Sequence, residues 1–156
     1  MKASDYIAEF FVKKGVDTVF MVTGGAAMHL NDGFARHNSL TIIYNHHEQA
    51  SALAADGYAR VPGKPALVNV TSGPGGINAM TGVHGAYTDS IPMIIISGQV
   101  KSETIASLNA PLSRQLGDQE VDITEIVKSI TKYSVLVTDP QELPNQLEKA
   151  YKMTTS

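Results

Sequence analysis

Ala66-Leu67-Val68-Asn69-Val70-Thr71-Ser72-Gly73-Pro74-Gly75-Gly76 runs from a short apolar stretch into a glycine-rich turn, and Ile77 to Tyr87 beyond it reads as a helix. A buried strand, here Ala66 to Thr71, that turns directly into a helix is the repeating unit of a parallel α/β sheet. Pro62-Gly63-Lys64-Pro65 forms the loop before it, and Pro92 precedes the next strand, Met93 to Ser97. Met93-Ile94-Ile95-Ile96 is continuously apolar rather than alternating, as expected of a parallel strand covered by helices on both faces.

The same alternation extends in both directions. Ser4 is placed to cap a first helix with Ile7, Phe10 and Phe11 on one face, and Gly15 to end it. Thr18 to Val22 is a strand, Thr23-Gly24-Gly25-Ala26-Ala27 its exit turn, and Met28, Leu30 and Phe34 belong to a helix ending near His37-Asn38. Thr41 to Tyr44 is a second strand. His47 to Arg60 places Ala50, Leu53, Ala54, Gly57 and Tyr58 at helical spacing, so Glu48 sits in a first helical turn just after a strand. Lys101 to Glu120, with Pro111 and Gly117, reads as an irregular excursion holding one helical turn. Asp122 to Ile130 reads as a short helix, Lys132 to Val137 as a strand, and Pro140 to Lys152 as a last helix, with Pro144 tolerated only in its first turn. The fold class is α/β, a three-layer helix-sheet-helix with a mostly parallel sheet, in one domain over residues 1–156.

Composition narrows the function. Twelve basic against 15 acidic residues, a formal net charge of -3, leave no basic footprint for nucleic acid. Apolar runs such as Ile91 to Ser97 are too short to span a bilayer, and Met1-Lys2-Ala3-Ser4-Asp5 does not open a signal peptide. Cysteine is absent, which excludes disulfides and thiolate metal sites and suits a reducing compartment. No membrane association and a cytoplasmic location are the expectations.

In an open parallel sheet ligands bind beyond the carboxyl ends of the strands, and three turns fall there. They are Thr23-Gly24-Gly25, Asn45-His46-His47-Glu48 and Ser72-Gly73-Pro74-Gly75-Gly76. Glycines after strands often do no more than supply a tight turn. A dinucleotide fingerprint is disfavoured, because Asn78 stands where its third glycine belongs and Pro74 removes an amide donor. Adjacent His46 and His47 cannot converge on one metal as residues four apart on a helix can, so no metal site is expected. No nucleophile elbow occurs. Glu48 by itself reads as a first-turn glutamate favoured by the helix dipole.

Taken in order, Val19-Phe20-Met21-Val22-Thr23-Gly24-Gly25, Asn45-His46-His47-Glu48-Gln49-Ala50 and Thr71-Ser72-Gly73-Pro74-Gly75-Gly76-Ile77-Asn78 resemble the N-terminal domain of thiamine-diphosphate enzymes of the acetolactate synthase and pyruvate oxidase type. Asp89 to Gly98, Gln119-Glu120 and Ile130-Thr131-Lys132 continue the resemblance, which spans essentially the whole chain. It implies a pyrimidine-binding domain in which Glu48 matches the catalytic glutamate that hydrogen-bonds the aminopyrimidine of thiamine diphosphate and so activates the ylid. It further implies that Pro74 and Asn78 line the aminopyrimidine pocket, that Val22, Thr23, Gly24 and Gly25 border the cofactor and substrate cavity, and that Gln119 reaches it from the irregular segment. Thr23 stands where the family often has proline, and Val22 where tyrosine is common.

The family's Mg2+ and diphosphate are held by a separate domain with a Gly-Asp-Gly start; Gly117-Asp118-Gln119 is not of that form. The sequence stops at Met153-Thr154-Thr155-Ser156, where the family usually adds a last strand, so a fragment of a longer enzyme is expected, with negligible catalysis by itself. The resemblance implies a 2-keto acid substrate such as pyruvate, with acetolactate formation as the leading reaction, and a homo-oligomer, at least a dimer, in the full enzyme. Small and apolar residues of the helices from Glu48 to Arg60 and from Gly75 to Ala86 serve either that interface or internal packing. FAD is allowed as a further cofactor whose determinants, like those of the substrate, lie in other domains. The competing readings are two-carbon transfer to a keto-sugar and a noncatalytic assembly module of the same fold.

Overall fold

The computed structural model describes residues 1–61, 63–110 and 112–156, so the expectations at Pro62 and Pro111 lie outside the described residues. The chain alternates helix α1 (Ala3–Lys13), strand β1 (Thr18–Met21), helix α2 (Met28–Ala35), β2 (Thr41–Tyr44), α3 (Glu48–Arg60), β3 (Ala66–Val70), α4 (Pro74–Thr88) and β4 (Met93–Ser97). A 3-10 turn, Gly25–Ala27, leads into α2, and another, Ser102–Thr104, precedes α5 (Ala106–Asn109). Helix α6 (Ile123–Ile126) continues into a 3-10 turn, Val127–Ser129, and α7 (Leu143–Thr154) comes last. The four strands are parallel in the order β2-β1-β3-β4. The direction of winding reverses between β1 and β3, and Met21 is level with both Tyr44 and Asn69. The exits of β1, β2 and β3 therefore share one edge of the sheet.

Two cores give the three layers. On one face Val19, Met21, Leu67 and Ile94 pack with Ile7, Phe11, Phe34 and Leu147 of α1, α2 and α7. On the other, Phe20, Ala66, Val68 and Val70 pack with Ala52, Ala55 and Ala59 of α3 and with Ala79 and Val83 of α4. β3 is buried along its whole length, which explains its unbroken apolar run. In β4 only Ile94 is fully buried, because the edge turned away from β3 borders a cavity of about 1160 Å³ lined by Met93–Ser97, Lys132–Thr138 and Leu147. Among the described residues no helix is long and apolar enough to cross a membrane.

Four local expectations are corrected. Ser4 is not the cap of α1: Lys2 holds that position without a side-chain bond, and Ser4 is buried within the first turn, against Gly33 of α2. Lys132–Val137 forms no strand, because the cavity it lines separates it from β4 and leaves it without a ladder partner. Helix α4 begins at Pro74 rather than Ile77, with proline in the first turn where its missing N–H costs nothing. The expected apolar face of α3 is in part the outer one: Ala50, Leu53 and Gly57 are exposed and Ala54 and Tyr58 lie half-buried against the core, while Glu48, Ser51, Ala52, Ala55, Asp56 and Ala59 point inward. Pro144 does fall in the first turn of α7.

A polar clasp closes the amino-terminal edge of the sheet. Tyr58 Oη and Thr18 Oγ1 donate to Asp17 Oδ1, and Lys64 Nζ donates to Asp17 Oδ2 at 2.5 Å and to the Gly15 carbonyl at 3.1 Å. Lys64 first, then Tyr58, hold the Asp17 carboxyl down from its ordinary 3.8 to about 2. A depressed folded-state value means that this stabilisation is complete above about pH 4 and is lost as pH falls toward about 2. Asp17→Asn is thus expected to lower the melting temperature at neutral pH by a few degrees, with the difference from wild type closing between about pH 4 and 2. A gap that stays constant across acid melting curves would contradict this linkage.

Candidate active site

Glu48 is the first residue of α3, directly after the β2 exit. His47 caps that helix, its Nδ1 accepting from the Gln49 amide at 3.2 Å, which fixes the entry angle and turns Glu48 inward. The residue is only 8% exposed. Its Oε2 accepts from Asn78 Nδ2 at 3.0 Å, whereas among the described residues Oε1 accepts from no donor. Among the described residues the side-chain atoms buried without a partner are Ser51 Oγ and Asn69 Oδ1, so Glu48 Oε1 keeps contact with solvent and stands open to a ligand N–H.

The Glu48–Asn78 pair exists because α3 and α4 lie side by side in the same direction. At Gly82 the helices touch: a Cβ there would lie 2.5 Å from Ala52 Cβ and 3.0 Å from the Leu53 nitrogen. Glu48 and Asn78 are one turn earlier on their respective helices. Close approach at the glycine brings the two polar side chains within bonding distance at the mouth of the sheet.

Thr71 ties the turns together, a role its place at the end of an apolar run did not announce. Its Oγ1 accepts from the Ala26 amide at 3.1 Å, linking the β1 and β3 exits. Its side chain packs on Gly24 and Gly75, where added Cβ atoms would lie 2.4 and 2.7 Å from it. Gly75 also places Glu48 Oε1 3.4 Å from where a side chain would begin, so the floor beside the carboxylate is bare backbone. Gly73 caps α4 at φ 61° and ψ -121°, and Gln119, itself at φ 54°, lays its carbonyl against it.

The structure thus gathers Glu48, Asn78, Gly24 and the Gly73–Gly75 turn at one edge, with Gln119 reaching them from the excursion. Pro74 is exposed in the first turn of α4, and Val22, Thr23 and Gly25 lie in the β1 exit, with open space beside Gly25. The cavity along β4 lies elsewhere and does not include Glu48 or Asn78. His46 is exposed beside the site. Among the described residues no group of three His, Asp or Glu side chains is positioned to hold a metal ion.

In a doubly wound sheet the crevice where the strand order reverses is where ligands bind, and Glu48 stands there over a glycine floor. Residues 1–126 match the thiamine pyrophosphate enzyme N-terminal TPP binding domain, and the chain belongs to that family. It is 37% identical over 155 residues to the chloroplastic acetolactate synthase of Arabidopsis thaliana, covering 99% of this chain and 22% of that protein. It is 38% identical over 156 residues to the acetolactate synthase large subunit of Haemophilus influenzae, covering 100% of this chain and 26% of that protein. To the mitochondrial acetolactate synthase catalytic subunit of Saccharomyces cerevisiae it is 36% identical over 148 residues, covering 95% of this chain and 20% of that protein. The chain spans about a quarter or less of the length of these relatives.

Proposed function

We propose that residues 1–156 form the pyrimidine-binding half of an acetolactate synthase-like active site, with Glu48 as the carboxylate that activates thiamine diphosphate. The observation that carries this reading is the half-satisfied, buried Glu48: Asn78 holds Oε2 and Oε1 is left for a ligand donor. The residues suit the group, since a flat aminopyrimidine needs an acceptor at one edge and a floor without side chains, and Glu48 over Gly75 offers both. When bound, thiamine diphosphate supplies the carbanion chemistry of the reaction, and the protein supplies geometry and electrostatics.

The work of this chain's own residues follows. Glu48 Oε1 would accept a ring N–H of the cofactor and exchange a proton with it; Asn78, by donating to Oε2, keeps the carboxylate from rotating away. Thr71 holds the β1 and β3 turns at fixed separation, so that Val22, Thr23, Gly24 and Gly25 would border the bound cofactor on one side and Pro74 on the other. Gln119 stands at the rim.

The remaining parts of the reading concern the whole enzyme: a 2-keto acid substrate such as pyruvate, Mg2+ and the diphosphate held by a second domain, and an assembly of at least two subunits. Acetolactate synthases as relatives support the reaction, and the small exposed residues on the outer face of α3, Ala50 and Gly57 beside Leu53, support the assembly. FAD and a cytoplasmic location belong to the same reading, the latter favoured by the absence of cysteine. Isothermal titration of the full-length protein with thiamine diphosphate in the presence of Mg2+ checks it. Saturable binding with about one cofactor per chain is expected; no heat and no protection from thermal unfolding would refute it.

A further inference from the structure

Gln119 lies in a stretch with little regular structure of its own. Among the described residues between β4 and α6 the chain forms the Ser102–Thr104 turn and the four-residue α5. Yet Gln119 is held in a backbone conformation unusual for a side-chain-bearing residue, φ 54°, with its carbonyl against Gly73. A positive φ persists only where the surroundings impose it.

The neighbouring side chain grips the turn that contains it. Glu120 Oε1 accepts from the Ala106 amide at 2.7 Å, and Oε2 accepts from the Gly117 amide at 3.2 Å. One carboxylate thereby closes the excursion on itself, joining the start of α5 to the turn that carries Gln119. The Glu120 amide donates back to the Gly117 carbonyl at 3.3 Å, and Gln115 Nε2 donates to the same oxygen at 3.1 Å. Gly117 is buried against Val100 and the Thr104 carbonyl, so the turn has no room to shift as a whole. Gln119 itself is exposed, its side chain free to meet a ligand.

We infer that Glu120 is a positioning residue: its two-handed grip on the Ala106 and Gly117 amides sets the turn that presents Gln119 at the rim of the site. This rests on the function proposed above. Both carboxylate oxygens are required, because glutamine offers one acceptor and turns an NH2 donor toward the second amide. Aspartate keeps the charge on a shorter arm.

The test is a double-mutant cycle in the full-length protein with Glu120→Gln, Gln119→Ala and both together. Glu120→Gln is expected to lower kcat/KM for pyruvate by roughly 10- to 100-fold. The loss should fall on the same parameter, kcat or KM, as in Gln119→Ala, and the double variant should be no worse than Gln119→Ala alone. Amide hydrogen exchange at Ala106 and Gly117 should quicken in Glu120→Gln while the melting temperature stays near wild type. Wild-type kinetics in Glu120→Gln, losses that multiply in the double variant, or unchanged exchange at both amides would each overturn the inference. If Glu120→Gln does not fold, Glu120→Asp takes its place in the same cycle with the same criteria. If the wild-type protein binds no thiamine diphosphate, the proposed function fails and Gln119's presentation to that cofactor fails with it; the exchange data then report separately on the clasp.

Discussion

Gly73→Ala is expected to destabilise the chain by roughly 2–4 kcal/mol and to displace Gln119 from the site. Two causes add. At φ 61° and ψ -121° the backbone lies in a region that side-chain-bearing residues enter only at a cost of about 1–3 kcal/mol. An alanine Cβ would also lie 2.0 Å from the Gln119 carbonyl oxygen, which is backbone and has no rotamer to escape into. Because Gly73 caps α4, relief of that clash tilts the helix start that carries Asn78 toward Glu48. Urea denaturation followed by circular dichroism measures the loss, and a midpoint within error of wild type would show that the turn is more pliant than its geometry implies.

Glu48→Gln should leave the fold standing and remove most of the activity of the full-length enzyme. The glutamine amide keeps the volume of the carboxylate and an oxygen for Asn78, so the melting temperature should move by no more than a few degrees. What disappears is the negative charge and the capacity to exchange a proton, a contribution of about 10²- to 10⁴-fold for a positioned acid or base. The loss is therefore expected in kcat for pyruvate, with little change in KM. Steady-state kinetics with matched thermal melts decides, and a kcat within a few-fold of wild type would remove Glu48 from the chemistry.

The parts of the fold that were legible in the sequence are those where side-chain size carried the signal. β3 and β4 were readable from Val68, Val70 and Ile94–Ile96, and Gly15 marked the end of α1 with φ 82°. The inward face of α3 was not. Ala50, Leu53, Ala54, Gly57 and Tyr58 satisfy helical spacing as well as Ser51, Ala52, Ala55 and Ala59 do, and small residues weigh little in any periodicity. Two polar members of the buried face have partners that helical spacing does not show: Glu48 bonds Asn78, and Asp56 pairs with Arg60, which also holds Asp89 across the structure. Lys132–Val137 has the composition of a strand, but a strand needs a neighbour, and no local pattern reveals a gap beside β4.

At the site, Glu48, Asn78, Gly24 and Gly75 were legible in the ordered motifs. Thr71 escaped notice because its function is to touch Ala26, Gly24 and Gly75 together, a relation among three turns. Glu120 escaped for the same reason: its bonds to the Ala106 and Gly117 amides exist only once the excursion is folded.

The central claim is that the unpaired oxygen of Glu48 activates the cofactor. Exchange of the C2 proton of thiamine diphosphate, bound at saturation to the full-length protein and read by NMR after acid quench, tests it most directly, since no substrate is involved. Glu48→Gln should slow that exchange by about 100-fold or more relative to wild type; exchange at the wild-type rate in a variant that still binds the cofactor would contradict it.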